Sequence, residues 1–285
     1  MADALRLRIR QSLLAPGARL PTQQELAAEF GVRRTVVRQA LGLLESEGLV
    51  AMGRGAPATV TERPPERPAP SRGPRQASVE LADRVRAALG AEHVTLDAFS
   101  LTTETLNSAL SGAMPELTTG RLAPRSLTAR VLLPSPEARL AFPRVVSEDP
   151  AVPAASADSR PLWRLQDKMR LYAGALRDQI LSLQELELVP EVSVEIRTVP
   201  LTPVHKLYVL NGAESLIGYY QLVEHSVEID DEELEIYDSF GFRTKLFRST
   251  SGPGSRDAQG AAFVEESRLW FDSLWSTLAR PFTFG

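Results

Sequence analysis

Two arginines four residues apart, Arg34 and Arg38, with Thr35 between them, lie opposite Val37, Leu41 and Leu44 if their stretch is helical. Such a helix buries the three aliphatic side chains and carries both guanidinium groups together near its start. A guanidinium fork matches the O6 and N7 edge of guanine, and each such pair is worth ~1–3 kcal/mol of discrimination against other bases. An isolated arginine pair is ordinarily only a solvated helix face, so the surroundings decide its meaning. Ahead of it, Thr22-Gln23-Gln24-Glu25 has the hydroxyl-to-carboxylate spacing of a capping box. This predicts a helix that buries Leu26 and Phe30 and stops at Gly31. Two short helices joined by a glycine-containing turn let the second lie in a major groove.

The elements that must hold this pair are also legible. Leu5, Ile9 and Leu13 recur at four-residue spacing, and Pro16-Gly17 ends the helix they predict. The arginine-bearing helix is expected to end at Gly48. Residues 49–51 and 58–60 then read as two short strands around Gly53-Arg54-Gly55. After them, residues 61–77 hold five prolines and four arginines without apolar periodicity, the composition of an extended tether.

Charge is divided unevenly along the 285 residues. The net charge is −4, yet residues 1–60 carry eight arginines against five acids, a local +3, and residues 61–78 add a further +2. The remainder therefore carries −9, so a polyanionic partner is expected at the first segment alone. No apolar run approaches the ~18–20 residues of a membrane span, and the first residues lack the pattern of a secretory signal. Cysteine is absent, which excludes disulfides, thiolate metal sites and cysteine nucleophiles and fits a cytoplasmic chain. His93, His205 and His225 match no metal-binding spacing. Neither a metal nor a cofactor is expected.

Beyond the tether, strand and helix patterns alternate. Helices are predicted at 79–89, 103–110, 162–188 and 261–278, and strands at 94–99, 127–133, 192–199, 207–210 and 216–220. Weaker strand patterns lie at 227–229 and 235–237, and residues 134–159 read as loop. Such alternation is the mark of an α/β domain. The acidic run at 228–235 reads as a solvated turn, and Trp270, Phe271 and Trp275 as core or dimer contacts.

The segment from Leu20 to Val60 resembles the GntR family. It has the leucine-proline, the Glu-Leu-Ala helix, Gly-Val, a recognition helix ending in Glu-Gly-Leu, and a glycine-bearing wing. The resemblance covers about residues 5–60. It implies that Arg34, Thr35 and Arg38 meet bases and phosphates in double-stranded DNA, with Arg33 beside them. It implies that Arg54 reaches the minor groove from the wing tip, with Gly55 allowing close backbone approach, and that Gln23 and Gln24 open the second helix near a phosphate. Arg33 departs from the family, which usually has a capping serine or threonine there; losing such a cap costs ~1 kcal/mol. The family further implies a homodimer on a two-fold symmetric operator, and more often a repressor. The expected architecture is an α+β winged helix-turn-helix over residues 1–60, a Pro/Arg-rich linker over 61–78, and an α/β domain over 79–285.

The second domain fits none of the common GntR companions: histidines are too few for the metal-binding helical type, the remaining chain is too short for the aminotransferase type, and the pattern of the HutC type is absent. Residues 192–222 instead resemble the second half of a phospholipase D-like domain. Aligning on Lys206 puts Val204 at the histidine nucleophile and Asn211 at the aspartate, keeps Gly218, and replaces serine and asparagine by Tyr219 and Gln221. The resemblance implies a pocket without hydrolytic activity, since valine neither attacks phosphorus nor carries a proton. No catalytic residue is therefore assigned. Lys206, Asn211, Tyr219 and Tyr220 are the candidates for binding a small anionic ligand, against the plainer reading in which the lysine snorkels and the tyrosines are core. His205, one residue out of register, is expected on the opposite strand face. A DNA-tethered phosphodiesterase, or a second domain that binds only protein partners, are the alternatives.

Overall fold

The computed structural model describes Leu5 and residues 17–46, 49–51, 58–61, 73–146, 158–252 and 257–284. The chain divides into two compact units, Met1–Arg72 and Gly73–Gly285.

In the first unit, α1 (Gln23–Phe30) begins with the expected capping box: Thr22 N donates to Glu25 Oε2 at 2.7 Å and Glu25 N to Thr22 Oγ1 at 3.3 Å. It ends at Gly31, whose φ of 62° is the left-handed conformation that glycine adopts without a Cβ penalty. Helix α2 spans Arg34–Ser46. Strands β1 (Val50–Ala51) and β2 (Thr59–Val60) pair antiparallel. The segment before α1 joins them: Leu20 N bonds Ala58 O at 2.7 Å, and Val60 N bonds Ala18 O at 2.8 Å. Sequence periodicity missed this third strand-like segment, which is too short to alternate. Leu5, Leu20, Leu26, Val37, Leu41, Leu44, Val50, Ala58 and Val60 form one core. Leu5 is helical and buried, as its spacing predicts; Ile9 and Leu13, Gly48, and the wing residues Arg54 and Gly55 lie outside the described residues.

The second unit starts at Gly73, ahead of the expected residue 79. Arg75–Gln76 is a strand, β3, and α3 (Ala77–Ala88) follows at once. Proline-rich composition hid this start; Arg75 is bound to Glu80 and Asp83 of α3. Then come β4 (His93–Phe99), α4 (Glu104–Thr118), β5 (Ser126–Pro134), β6 (Arg144–Val145), α5 (Arg160–Glu185) and β7 (Glu191–Val199). They are followed by β8 (His205–Leu210), β9 (Glu214–Tyr219), β10 (Leu222–Ile229), β11 (Glu232–Ser239), a single turn of 3-10 helix (Gly241–Arg243), β12 (Lys245–Thr250), α6 (Ala258–Thr277) and β13 (Arg280–Pro281).

Eight of these strands form one mixed sheet in the order β13-β7-β5-β4-β8-β9-β12-β3. Its centre, β7-β5-β4, is parallel, joined by crossovers through α4 and α5. From β8 outward the neighbours are antiparallel. Helices α3, α4 and α5 bury Leu81, Val85, Leu106, Leu110, Leu176 and Ile180 against one face. On the other face α6 buries Phe271 against Phe99, Leu132, Val199, Leu207 and Val209. Arg130 ties α6 to the sheet, bonded to Asp97 at 2.7 Å and Asp272 at 2.9 Å with its cation over Phe271. A separate sheet, β10-β11-β6, carries the acidic run in the hairpin between β10 and β11, where Asp230 and Asp231 take φ of 53° and 62°.

Candidate nucleic-acid interface and the second-domain cleft

Helix α2 is amphipathic in the sense its sequence predicts. Val37 and Leu44 are fully buried and Leu41 nearly so, while Arg33, Arg34, Arg38 and Gln39 are exposed and Thr35 half-buried. Arg34 and Arg38 carry no hydrogen bond or ion pair among the described residues, so both guanidinium forks are available to a partner. Val36 and Val37 donate their amides to the carbonyl of Arg33, at 3.0 and 3.3 Å, which puts Arg33 at the helix start. A guanidinium has only donors, so its side chain does not accept from those amides as serine would. Gln24 is exposed and Gln23 half-buried in the first turn of α1. Gln39, one turn beyond Thr35 on the same exposed face, was missed by a reading centred on charge; the helical period would have found it.

The four second-domain candidates do not share one site. Lys206 and Tyr220 come together: Lys206 is 2% exposed, and its Nζ lies 5.5 Å from the Tyr220 ring centroid. Lys206 Nζ donates to Thr105 Oγ1 at 3.1 Å and to the Gly241 carbonyl at 2.8 Å. The Tyr220 hydroxyl accepts from Leu101 N at 3.0 Å. Burial pushes Lys206 down from 10.5 to about 7, against the opposing pull of Glu104, and raises the Tyr220 hydroxyl above its ordinary value. Asn211 stands at the far end of β8, roughly 16 Å from Lys206 at ~3.3 Å per residue. There it closes the β8–β9 turn, with φ of 53°, accepting from Thr95 N at 2.9 Å and donating to Ala88 O at 3.0 Å. Tyr219 is 62% exposed and projects from the other face of β9. Strand alternation separates it from Tyr220.

His205 lies opposite Lys206 as expected, with its ring 5.3 Å from Phe99 and 5.2 Å from Trp270. Val204, where the phospholipase D-like pattern has its histidine, is 61% exposed. Among the described residues no cluster of three or more His, Asp or Glu side chains is placed to hold a metal, and no helix is long and apolar enough to cross a membrane.

Residues 1–60 match the profile of the bacterial regulatory proteins of the gntR family. The first unit is a GntR-family domain. The Uxu operon regulator of Haemophilus influenzae is 40% identical over 64 residues, 22% of this chain and 24% of that protein. The Uxu operon transcriptional regulator of Escherichia coli is 56% identical over 41 residues, 14% of this chain and 16% of that one. The likeness thus spans a quarter or less of these relatives. A solved structure, that of the archaeal chromatin protein TrmBL2, aligns over 92% of this chain and 88% of its own at 9% identity and a TM-score of 0.34, too slight a likeness to carry an argument.

The GntR domain accounts for α1, α2 and the β1–β2 pair, and therefore for the arginine-bearing face. It says nothing of Lys206 and its surroundings. Those lie at the C-terminal end of β4, where the open ends of parallel strands commonly hold ligands. The recess beside Lys206 and Tyr220 is also lined by Glu104, Arg164, Lys168 and Ser239. No motif links these residues; only the fold collects them from α4, α5 and β11.

Proposed function

We propose that this chain is a sequence-specific DNA-binding transcription regulator whose GntR domain reads the operator and whose second domain dimerises and senses a small ligand. The observation that carries the reading is Arg34 and Arg38, unpaired among the described residues, on the exposed face of a helix whose opposite face is packed. That face, inserted in a major groove, offers two guanidinium forks for guanine, and Gln39 adds an amide suited to adenine. Arg33 supplies a phosphate contact at the helix start, and Arg54 with Gly55 a minor-groove contact from the wing. The names of the relatives, regulators of an operon, support transcriptional control.

One such module reads only a short half-site, so the active form is a homodimer on a two-fold symmetric operator. It acts as a repressor in the cytoplasm. A ligand in the second domain changes operator affinity only through its different affinity for the two arrangements of the pair.

Genome-wide footprinting with the full chain tests this. The expected result is a set of promoter sites with two inverted half-sites, spaced by about one helical turn (~34–36 Å) or a multiple of it. Binding without any enriched sequence would overturn the proposal.

A further inference from the structure

The second domain gathers three basic side chains at one recess, which two carboxylates, Glu104 and Asp238, also line. Lys206, Lys168 and Arg164 all line the recess at the mouth of α4, and none has a carboxylate within ion-pairing distance among the described residues. Other arginines of the domain are ion-paired: Arg160 is bound to Asp158 and Glu232, Arg84 to Glu214, and Arg130 to Asp97. Burial without a paired charge disfavours the ammonium form of Lys206, and a bound anion would restore it. Lys206 meets only a hydroxyl and a carbonyl, which leaves the third of its donors unused.

Three further features favour an anion here. Helix α4 begins at the recess, and its N-cap residue, Thr103, makes no side-chain capping bond. The positive end of its dipole adds to the three side chains, offset in part by Glu104 in its first turn. The buried Ser239 hydroxyl lines the same recess and has no hydrogen-bond partner among the described residues. Of the two lining carboxylates, Asp238 accepts from Ser239 N at 2.7 Å and lies 3.8 Å from His225 Nε2, while Glu104 faces the Tyr172 hydroxyl.

Size divides the ligand in two. The recess holds about 50 Å³, room for a headgroup rather than a whole molecule. Arg164 and Lys168 also line an outer groove of about 390 Å³, whose walls include Trp163 and Leu171, 59% and 66% exposed. We infer that this recess, with the groove that shares Arg164 and Lys168 with it, binds a small organic anion, its phosphate or carboxylate group held by Lys206, Lys168, Arg164 and Ser239 and its apolar or ring-shaped body lying on Trp163 and Leu171. The site rests on the ligand-sensing reading of this domain for its purpose, and it replaces Asn211 and Tyr219 as ligand contacts.

Calorimetric titration of the full chain with inorganic phosphate, phenyl phosphate and benzoate, in the absence of DNA, tests it. Saturable binding of phenyl phosphate or benzoate is expected, and the tighter of the two identifies the headgroup. The ring should improve phenyl phosphate severalfold over inorganic phosphate, and Trp163→Ala should abolish that gain. Since Lys206→Met can disturb folding, the half-exposed pair is the decisive variant: Arg164→Gln/Lys168→Gln should weaken binding tenfold or more, while Arg121→Gln, beyond the far end of α4, should not. Absence of saturable heat with either organic anion, or equal affinity in the double variant, would overturn the inference. A parallel DNA-binding assay separates the two failures, since loss of anion binding with intact operator recognition leaves the regulator standing.

Discussion

Lys206 sets the clearest expectation at the scale of a single residue. It faces Thr105, Tyr208, Tyr220 and Glu104, and burial lowers its pKa from 10.5 to about 7. Between those values the folded lysine has released its proton while the unfolded one retains it. The unfolded chain then binds more protons, so this group makes stability rise with pH from about 7 to 10.5, by at most about 1.4 kcal/mol per pH unit. Below 7 both states are protonated and the contribution is constant. Urea unfolding at several pH values should show that rise in the wild type and a flatter profile in Lys206→Met; parallel profiles would refute it. Arg33 sets a second expectation. Arg33→Ser restores a capping hydroxyl at the start of α2 and should add ~1 kcal/mol of stability. It should also weaken binding to every DNA sequence alike and reduce the salt slope by about 1, as loss of a phosphate contact does. Unchanged salt dependence would remove Arg33 from the interface.

At the scale of elements, packing across strands decides what local pattern does not. Gly218 on β9 sits so close to β12 that a Cβ would meet Thr244 Cγ2 at 2.5 Å and the Lys245 carbonyl at 2.8 Å. Gly218→Ala should therefore cost about 1–3 kcal/mol in urea unfolding, because backbone must move to admit it; an unperturbed midpoint would contradict this packing. The long amphipathic elements were legible because their period is strong: α5 keeps Leu165, Met169, Leu176 and Ile180 on one face, as read from sequence. Strand β12 was not legible, since Leu246 is its one fully buried side chain and Phe247 beside it is half-exposed. Asn211 lies apart from Lys206 for a different reason. A motif alignment supplies a position without an orientation, and an asparagine in the left-handed region serves a turn. Alternation along β8 separates Lys206 from His205, and the same alternation at the end of β9 sets exposed Tyr219 apart from half-buried Tyr220.

At the scale of the molecule, the reading of function came from an uneven division of charge, +3 in residues 1–60 against −9 beyond residue 78. It also came from a motif dense enough to name its family. The recess at Lys206 had no such signal, because Glu104, Arg164, Lys168 and Ser239 meet only after α4, α5 and β11 have packed around the sheet. The proposed function depends first on α2 acting as the reading helix. The most direct measurement is competition between operator and random duplex at moderate salt for the full chain and for Arg34→Ala and Arg38→Ala. Each substitution is predicted to remove ~1–3 kcal/mol of discrimination with thermal stability unchanged. Full discrimination retained by both variants would contradict the account.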